Sequence, residues 1–393
     1  MVDDAAAQWF NTGQDLYPEL ERAIQRAEQE ILISVYTFNC DVVGRHFVKL
    51  LSERAATGVQ VKVVLDALGS RQGTEQLVRD LGVAGIAVKI FRPLGSYFPR
   101  HIFSFLYRNH ARIFLVDGRT FGLGGICIGD IYQKRRDLFV LVRIEHPQLI
   151  RQYFNYIWSL AQAAQVGLEL NRAAVVEISP GWRVIQSGPR LLEQRIYQWV
   201  LEHCRTARRR ILIVSAFFLP PTEILQELCA AQARGINVTV ITPLRTDRTD
   251  YDGFRAIPVG RLITRGVQWY GINEYFHQKY FIVDEDWCFG SANLDIISLC
   301  RNYELNVFGS GGPVLRVLEA DVDHLKVIPG STTQYPGHPP FQKFAAFAYR
   351  FAEWWMTASP IMDRSQASGV LDLPNLKPEV VAERKSAKRK FLG

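Results

Sequence analysis

The sequence predicts an α/β protein of two similar lobes, each a βαβ-type sheet covered by helices. Three observations lead there. Strand-type runs alternate with helix-period segments through both halves of the chain. TGVQVKVVLDAL at 57–68 is echoed by RGINVTVITPL at 234–244, and upstream of each lies a second matched pair, EILISVYTF at 30–38 and RILIVSAFFL at 210–219.

Each element has a local reason. The strand candidates are rich in β-branched residues, which suit a pleated and buried surface. The helical patterns fall at 16–29, 42–56, 191–206 and 222–233, and the second and fourth run into a glycine, Gly58 or Gly235, that can close a helix end before the next strand begins. The lobe boundary is expected near 166–180. The expected layout is an N-terminal extension (1–14), a first lobe (15–166), a linker (167–180), a second lobe (181–328), an amphipathic or packing helix region (329–360) and a basic tail (361–393).

Composition narrows the class. The 393 residues are 48% hydrophobic and 22% charged, ordinary usage for a globular chain large enough to bury two cores. No apolar run reaches the roughly 18 residues needed to cross a bilayer; the best candidate, 211–219, stops at Pro220-Pro221. The acidic start MVDDAAAQWF lacks a basic, then apolar, secretory leader, which leads us to expect a cytoplasmic chain. Six cysteines without a CxxC pair point to reduced thiols and away from cysteine-bound zinc. A formal charge of +7 suggests an anionic partner, either phospholipid headgroups or nucleic acid.

The duplication extends to a polar motif. FHQKYFIVDEDWCFGSANLD at 276–295 sets His277, Lys279 and Asp284 in and beside an apolar strand; NHARIFLVDGRTFGLGGICIGD at 109–130 repeats the spacing with His110, Arg112 and Asp117. Strand alternation puts each histidine and the cation two residues on along one face. Each histidine also has an acid 27 positions downstream, Asp137 after His110 and Glu304 after His277.

H-x-K-x4-D followed by G-S-x-N, present twice in a duplicated α/β chain, resembles the phospholipase D superfamily. The span from about 15 to 325 is similar to its cardiolipin synthase branch, in GQDLYPELERAI, VLDALGS, RPLG, IQSGP, AFFLPP and the NLD after Ser291. The resemblance implies two duplicated phospholipase D-like lobes, each a mixed sheet flanked by helices, forming one pseudo-two-fold active-site cleft. It implies phosphodiester transfer through a phosphohistidine, with His110 as nucleophile and His277 as acid and base, although the quasi-symmetry leaves the reverse open. Asp137 and Glu304 would each hold a histidine Nδ1 proton. Arg112 and Lys279 would grip the phosphate, Ser291 and Asn293 would supply neutral donors, and Asp117 and Asp284 would be structural hydrogen-bonding partners. No metal or other cofactor is implied.

The chemistry explains these residue types: a phosphodiester repels nucleophiles, so its site needs cations, a nucleophile and an acid for the departing alkoxide. This chain departs from the pattern. Position 112 is Arg where Lys is usual, Cys127 replaces the first repeat's Asn, and Gly124-Gly125 leave no hydroxyl there. The second motif also has five residues between Asp284 and Gly290 where the first has six between Asp117 and Gly124.

Two aromatic segments suit a lipid surface or a protein core equally. PLGSYFPRHIFSFLYRN at 93–109 carries five aromatic rings, two arginines and a histidine; FQKFAAFAYRFAEWWM at 341–356 repeats Phe344, Phe347, Phe351, Trp354 and Trp355 at helical steps. The expected function is a phosphatidyltransferase making cardiolipin from phosphatidylglycerol or phosphatidylethanolamine and phosphatidylglycerol. The expected location is peripheral, on the cytoplasmic face of a bacterial inner membrane, without nucleic acid as partner. The alternatives are a hydrolase or nuclease using the same residues with water, and a weakened membrane-binding protein.

Overall fold

A computed structural model describes residues 7–71, 73–93, 107–161, 176–189, 193–247 and 249–335. Most of the aromatic segment at 93–109, all of that at 341–356, and the tail lie outside the described residues.

The first lobe runs β1 (Ala7–Phe10), α1 (Gly13–Gln25), β2 (Glu30–Val35), α2 (Val42–Ala56), β3 (Gln60–Asp66), α3 (Thr74–Val83), β4 (Ala87–Phe91), β5 (Ile113–Val116), β6 (Thr120–Gly124), β7 (Phe139–Arg143) and α4 (Gln148–Leu160). Its seven strands are ordered β1-β7-β6-β5-β2-β3-β4, with β2, β3 and β4 parallel and the rest antiparallel.

The second lobe begins with β8 (Val176–Ser179), β9 (Trp182–Ser187), α5 (Arg195–Thr206), β10 (Arg210–Ser215), β11 (Phe218–Leu219), α6 (Thr222–Ala233) and β12 (Asn237–Pro243). It continues through α7 (Thr249–Ile263), β13 (Gln268–Ile272), β14 (Lys279–Val283), β15 (Asp286–Gly290), β16 (Leu294–Asp295), α8 (Ile296–Cys300), β17 (Glu304–Ser310) and α9 (Gly312–Lys326). Its large sheet, β13-β12-β10-β14-β15-β17-β9-β8, repeats the first lobe's order with β8 added at one edge. The duplication seen in the sequence is a duplication of mixed sheets.

Two boundaries differ from expectation. β1 lies inside the stretch assigned to an extension, 1–14, and pairs with β7 in the register Phe10↔Phe139. β8 lies inside the expected linker, 167–180, and pairs with β9. Four-residue strands carry too few positions for a periodic pattern to show. The helix expected at 191–206 begins at Arg195, and that expected at 16–29 is α1, capped by the Thr12 side chain accepting from the Asp15 N–H.

The two sheets face each other. One continuous core joins Ile113, Leu115 and Val140 of the first sheet to Tyr280, Ile282 and Leu305 of the second, with α4 and α9 closing it. The outer faces are covered by α1, α2 and α3 on one side and α5, α6 and α7 on the other. Face-to-face packing brings equivalent strand ends of the two lobes together.

The unequal motif spacing is absorbed in a turn. The β5–β6 hairpin pairs Val116 with Thr120 across three loop residues, whereas β14–β15 pairs Val283 with Asp286 across two. Both hairpins start with an aspartate at positive φ, Asp117 at 50° and Asp284 at 54°, a conformation Asp tolerates better than most side chains. Gly124 and Gly290 therefore still fall at matching points, paired to Phe139 and Asn306.

Candidate active site

His110 and His277 stand just before β5 and β14, and each segment is stitched to the opposite lobe. The His110 N–H donates to Tyr303 O at 2.9 Å, and the His277 N–H to Arg136 O at 2.7 Å. Parallel bridges Asn109↔Tyr303 and Arg136↔Phe276 complete the stitching. Each histidine thus lies beside the residue preceding the other lobe's acid.

That arrangement exchanges the acids. His110 Nδ1 donates to Glu304 Oε1 at 2.9 Å, and His277 Nδ1 to Asp137 Oδ2 at 2.8 Å. The spacing of 27 marks the repeat and not the partnership, because the acid of one lobe serves the histidine of the other. With Nδ1 occupied, Nε2 carries the lone pair in both neutral rings.

Burial sets the electrostatics. It opposes charge on Glu304, but His110, the Ser291 hydroxyl and Arg112 hold that carboxyl below its ordinary range. Asp137 is likewise depressed, burial being outweighed by Lys279 and His277. Burial first and then Lys279 push His277 down to about 3, and burial followed by Arg112 lowers His110. His110 is also lowered by Lys279 and His277 by Arg112, so each ring lies within the field of the other lobe's cation. The two halves behave as one site.

Both cations of the motif are buried. Lys279, 1% exposed, lies 4.0 Å from Asp137 Oδ2 and 2.9 Å from His277 Nδ1, and it donates to His277 O. His277 Nδ1 has its single proton committed to Asp137 and cannot also accept, so the ammonium keeps hydrogens for another acceptor. Arg112, also 1% exposed, donates from Nη1 to His110 O at 2.6 Å and from Nε to Cys127 Sγ at 3.3 Å, and meets no carboxylate among the described residues. Lys279 thus has its carboxylate only at 4.0 Å and Arg112 has Glu304 and Asp137 only through their fields, so both keep donors for an anion entering between them.

Ser291 and Asn293 differ from each other. The Ser291 hydroxyl donates to Glu304 Oε2 at 2.5 Å, so in this state it serves the acid. Asn293, 4% exposed, has an Oδ1 with no hydrogen-bond partner among the described residues. Asp117 and Asp284 sit away from the histidines, at the far ends of β5 and β14. Asp117 accepts from the N–H groups of Glu28, Gln29 and Glu30, and Asp284 from those of Arg208, Arg209 and Arg210. Each fastens the turn before the repeated strand, β2 or β10, to its neighbour.

Further residues complete the site. Asp66, at the end of β3, takes Arg108 in a buried ion pair and accepts the Asn109 N–H at 2.9 Å, fixing the approach to His110. Asp321 of α9 does the same beside His277 by binding Arg136, Gln278 and Tyr280. Asn302 donates to Glu304 Oε1 at 3.3 Å. Tyr36 lies edge-on to His110 and Phe217 to His277, with centroids 5.1 and 6.1 Å apart. The signal for these was the repeated YTF and AFF after matching strands and the buried VLD; no pattern marked Asp321 or Asn302. Among the described residues no cluster of His, Cys, Asp and Glu forms a metal site, and no helix is long and apolar enough to cross a membrane.

Comparison with known proteins agrees with this architecture. The family described as cardiolipin synthase, PLD-like domain, matches residues 20–160 and 200–326. The probable cardiolipin synthase YwiE of Bacillus subtilis (strain 168) is 30% identical over 324 residues, covering 79% of this chain and 64% of the relative. The cardiolipin synthase of Geobacillus kaustophilus (strain HTA426) is 28% identical over 313 residues, 76% of this chain and 62% of the relative. The chain thus spans less than two thirds of the length of these curated relatives. In fold it is similar to phosphatidylserine synthase of Haemophilus influenzae Rd KW20, with a TM-score of 0.66 at 12% identity over 90% of this chain and 93% of that one. It is also similar to polyphosphate kinase of Porphyromonas gingivalis, with a TM-score of 0.54 at 12% identity over 90% and 56% of the two chains. With matches to the family in both lobes, each covering the histidine, the cation two residues on and the acid lent to the other side, the chain belongs to the phospholipase D-like family of cardiolipin synthases.

Proposed function

We propose that this protein is a phosphatidyltransferase of the cardiolipin synthase type. One observation carries the reading: two imidazoles from opposite lobes, each held at Nδ1 by the other lobe's buried carboxylate, share the site with two buried cations that keep donors for a further acceptor. Such a site fits a monoanionic phosphodiester and leaves an Nε2 on either side.

His110 Nε2 attacks phosphorus of a phosphatidylglycerol, the bond to the departing glycerol oxygen breaks, and His277 gives that oxygen its proton. The terminal hydroxyl of a second phosphatidylglycerol then yields its proton to His277, its oxygen bonds phosphorus, and the phosphorus–nitrogen bond breaks. Cardiolipin and glycerol are the products. Arg112 and Lys279 balance charge on the nonbridging oxygens, and Asn293 stands by as a neutral partner. Asp137 and Glu304 fix the tautomers and stabilise whichever ring is cationic. Because burial and the two cations keep both rings neutral at pH 7, the substrate's negative charge, set against Lys279 and Arg112, supplies the conditions for His277 to take up its working proton.

The same reading places the protein at a phospholipid surface, peripherally, on the cytoplasmic face of a bacterial inner membrane. Labelled phosphatidylglycerol vesicles test it, with wild type, His277→Ala and Arg112→Lys compared by lipid separation. Cardiolipin plus glycerol from wild type supports it; phosphatidic acid means that water is the acceptor; no lipid product overturns turnover of this substrate.

A further inference from the structure

We infer that Gly125 and Asp137 are a single positioning unit for His277, in which the carboxylate occupies the space where a side chain at position 125 would begin. The second lobe solves the same problem with a different pair, Ser291 and Glu304.

The equivalence of the two positions rests on the backbone. Gly124 and Gly290 precede them with φ of 154° and 158°. The Gly125 N–H donates to Leu138 O at 3.0 Å and the Ser291 N–H to Leu305 O at 3.1 Å, each carbonyl belonging to the residue after the acid. At 291 there is a side chain, and its hydroxyl donates to Glu304 Oε2. At 125 a Cβ would lie 2.1 Å from Asp137 Oδ1, 2.3 Å from Oδ2 and 2.5 Å from Cγ, closer than real Cβ contacts come.

Asp137 has nowhere to retreat. It is 1% exposed, its Oδ1 is held by the Leu138 N–H at 2.8 Å, and its Oδ2 by His277. Gly125 is not in the left-handed region, so the need for glycine here is one of space and not of backbone freedom. The shorter acid lies back against the strand and requires a bare α-carbon; the longer acid extends past a serine and uses its hydroxyl. Glu304 consequently meets His110 with both oxygens, at 2.9 and 3.1 Å, and Asp137 meets His277 with one. Length of acid and size of its neighbour are coupled choices, made oppositely in the two lobes.

Gly125 is therefore a positioning residue acting through Asp137. This rests on the phosphodiester-transfer reading for the step His277 performs, but the geometry can be read without substrate. The test compares Gly125→Ala, Gly125→Ser, Asp137→Glu and the double variant Gly125→Ser/Asp137→Glu, using lipid transfer against pH and nitrogen NMR of the His277 ring. Gly125→Ala and Gly125→Ser are expected to lower kcat at least about tenfold with KM little changed, and to remove the Nδ1–H···carboxylate signature. Adding Asp137→Glu to Gly125→Ser restores most of both, because it recreates the pair of the second lobe. If Gly125→Ser does not fold, recovery of a folded protein in the double variant gives the same support. Wild-type kcat and an unchanged ring signal in Gly125→Ala, or a double variant no better than Gly125→Ser, overturn the inference. A wild type that turns over no phospholipid refutes the functional reading alone, since the ring signal still decides the positioning.

Discussion

Replacing Lys279 by Met should make the protein more stable and nearly inactive. Burial pulls the ammonium from 10.5 down to about 8, the attraction of Asp137 already included. At 1.36 kcal/mol per pH unit, holding that charge in the folded cleft costs about 3 kcal/mol at neutral pH. The cost is present in full below pH 8. Between pH 8 and 10.5 the unfolded chain keeps a proton that the folded one has released, so wild-type stability gains from this group as pH rises through that window. The Met variant lacks that gain, so its advantage shrinks towards zero by about pH 10.5. Urea denaturation at pH 7 and at intervals to pH 10.5 reads the difference, and kcat/KM for lipid transfer should fall by roughly 100-fold or more. A variant less stable than wild type at pH 7, a gap that does not narrow with pH, or retained activity would refute the argument.

Other outcomes follow from the same geometry. In double-mutant cycles, Asp137→Asn should be strongly non-additive with His277→Ala and near-additive with His110→Ala, and Glu304→Gln the reverse; coupling within lobes instead of across them would contradict the exchange of acids. Asp284→Ala should lose the anchor for three backbone N–H groups and cost roughly 2 kcal/mol with kcat unchanged. Burial opposes the Asp284 charge, but those N–H groups hold its carboxyl below the ordinary range. The stability it adds is therefore present at neutral pH and lost as pH falls through its folded pKa, and an acid-side slope that Asp284→Ala leaves untouched would count against this. Inorganic phosphate should bind with proton uptake near pH 6, because an anion between Arg112 and Lys279 offsets the fields that depress both rings; calorimetric heats independent of buffer ionisation would contradict that.

How much of this was visible in the sequence depends on the range of the signal. The duplicated strands and the motif residues were legible because strand alternation and repeat spacing are local, and the outer core of each lobe follows from them. The exchange of Asp137 and Glu304 between lobes was not, because it arises from the bridges Asn109↔Tyr303 and Arg136↔Phe276, contacts between segments far apart in the chain. In the sequence Gly125 and Cys127 are departures from the repeated motif. In three dimensions Gly125 makes room for an acid, and Cys127 receives the Arg112 Nε–H, so two of the departures are parts of local arrangements. Asp321 was illegible because a single acid on an amphipathic helix has no pattern of its own. The lobe edges were missed because β1 and β8 are only four residues long.

Mass spectrometry of the protein quenched during turnover of phosphatidylglycerol bears most directly on the shared cleft. A phosphatidyl adduct is expected on His110 in the wild type, slowed in both formation and breakdown by His277→Ala, and no adduct in His110→Ala. Turnover that survives His110→Ala, or an adduct on neither histidine, would contradict it.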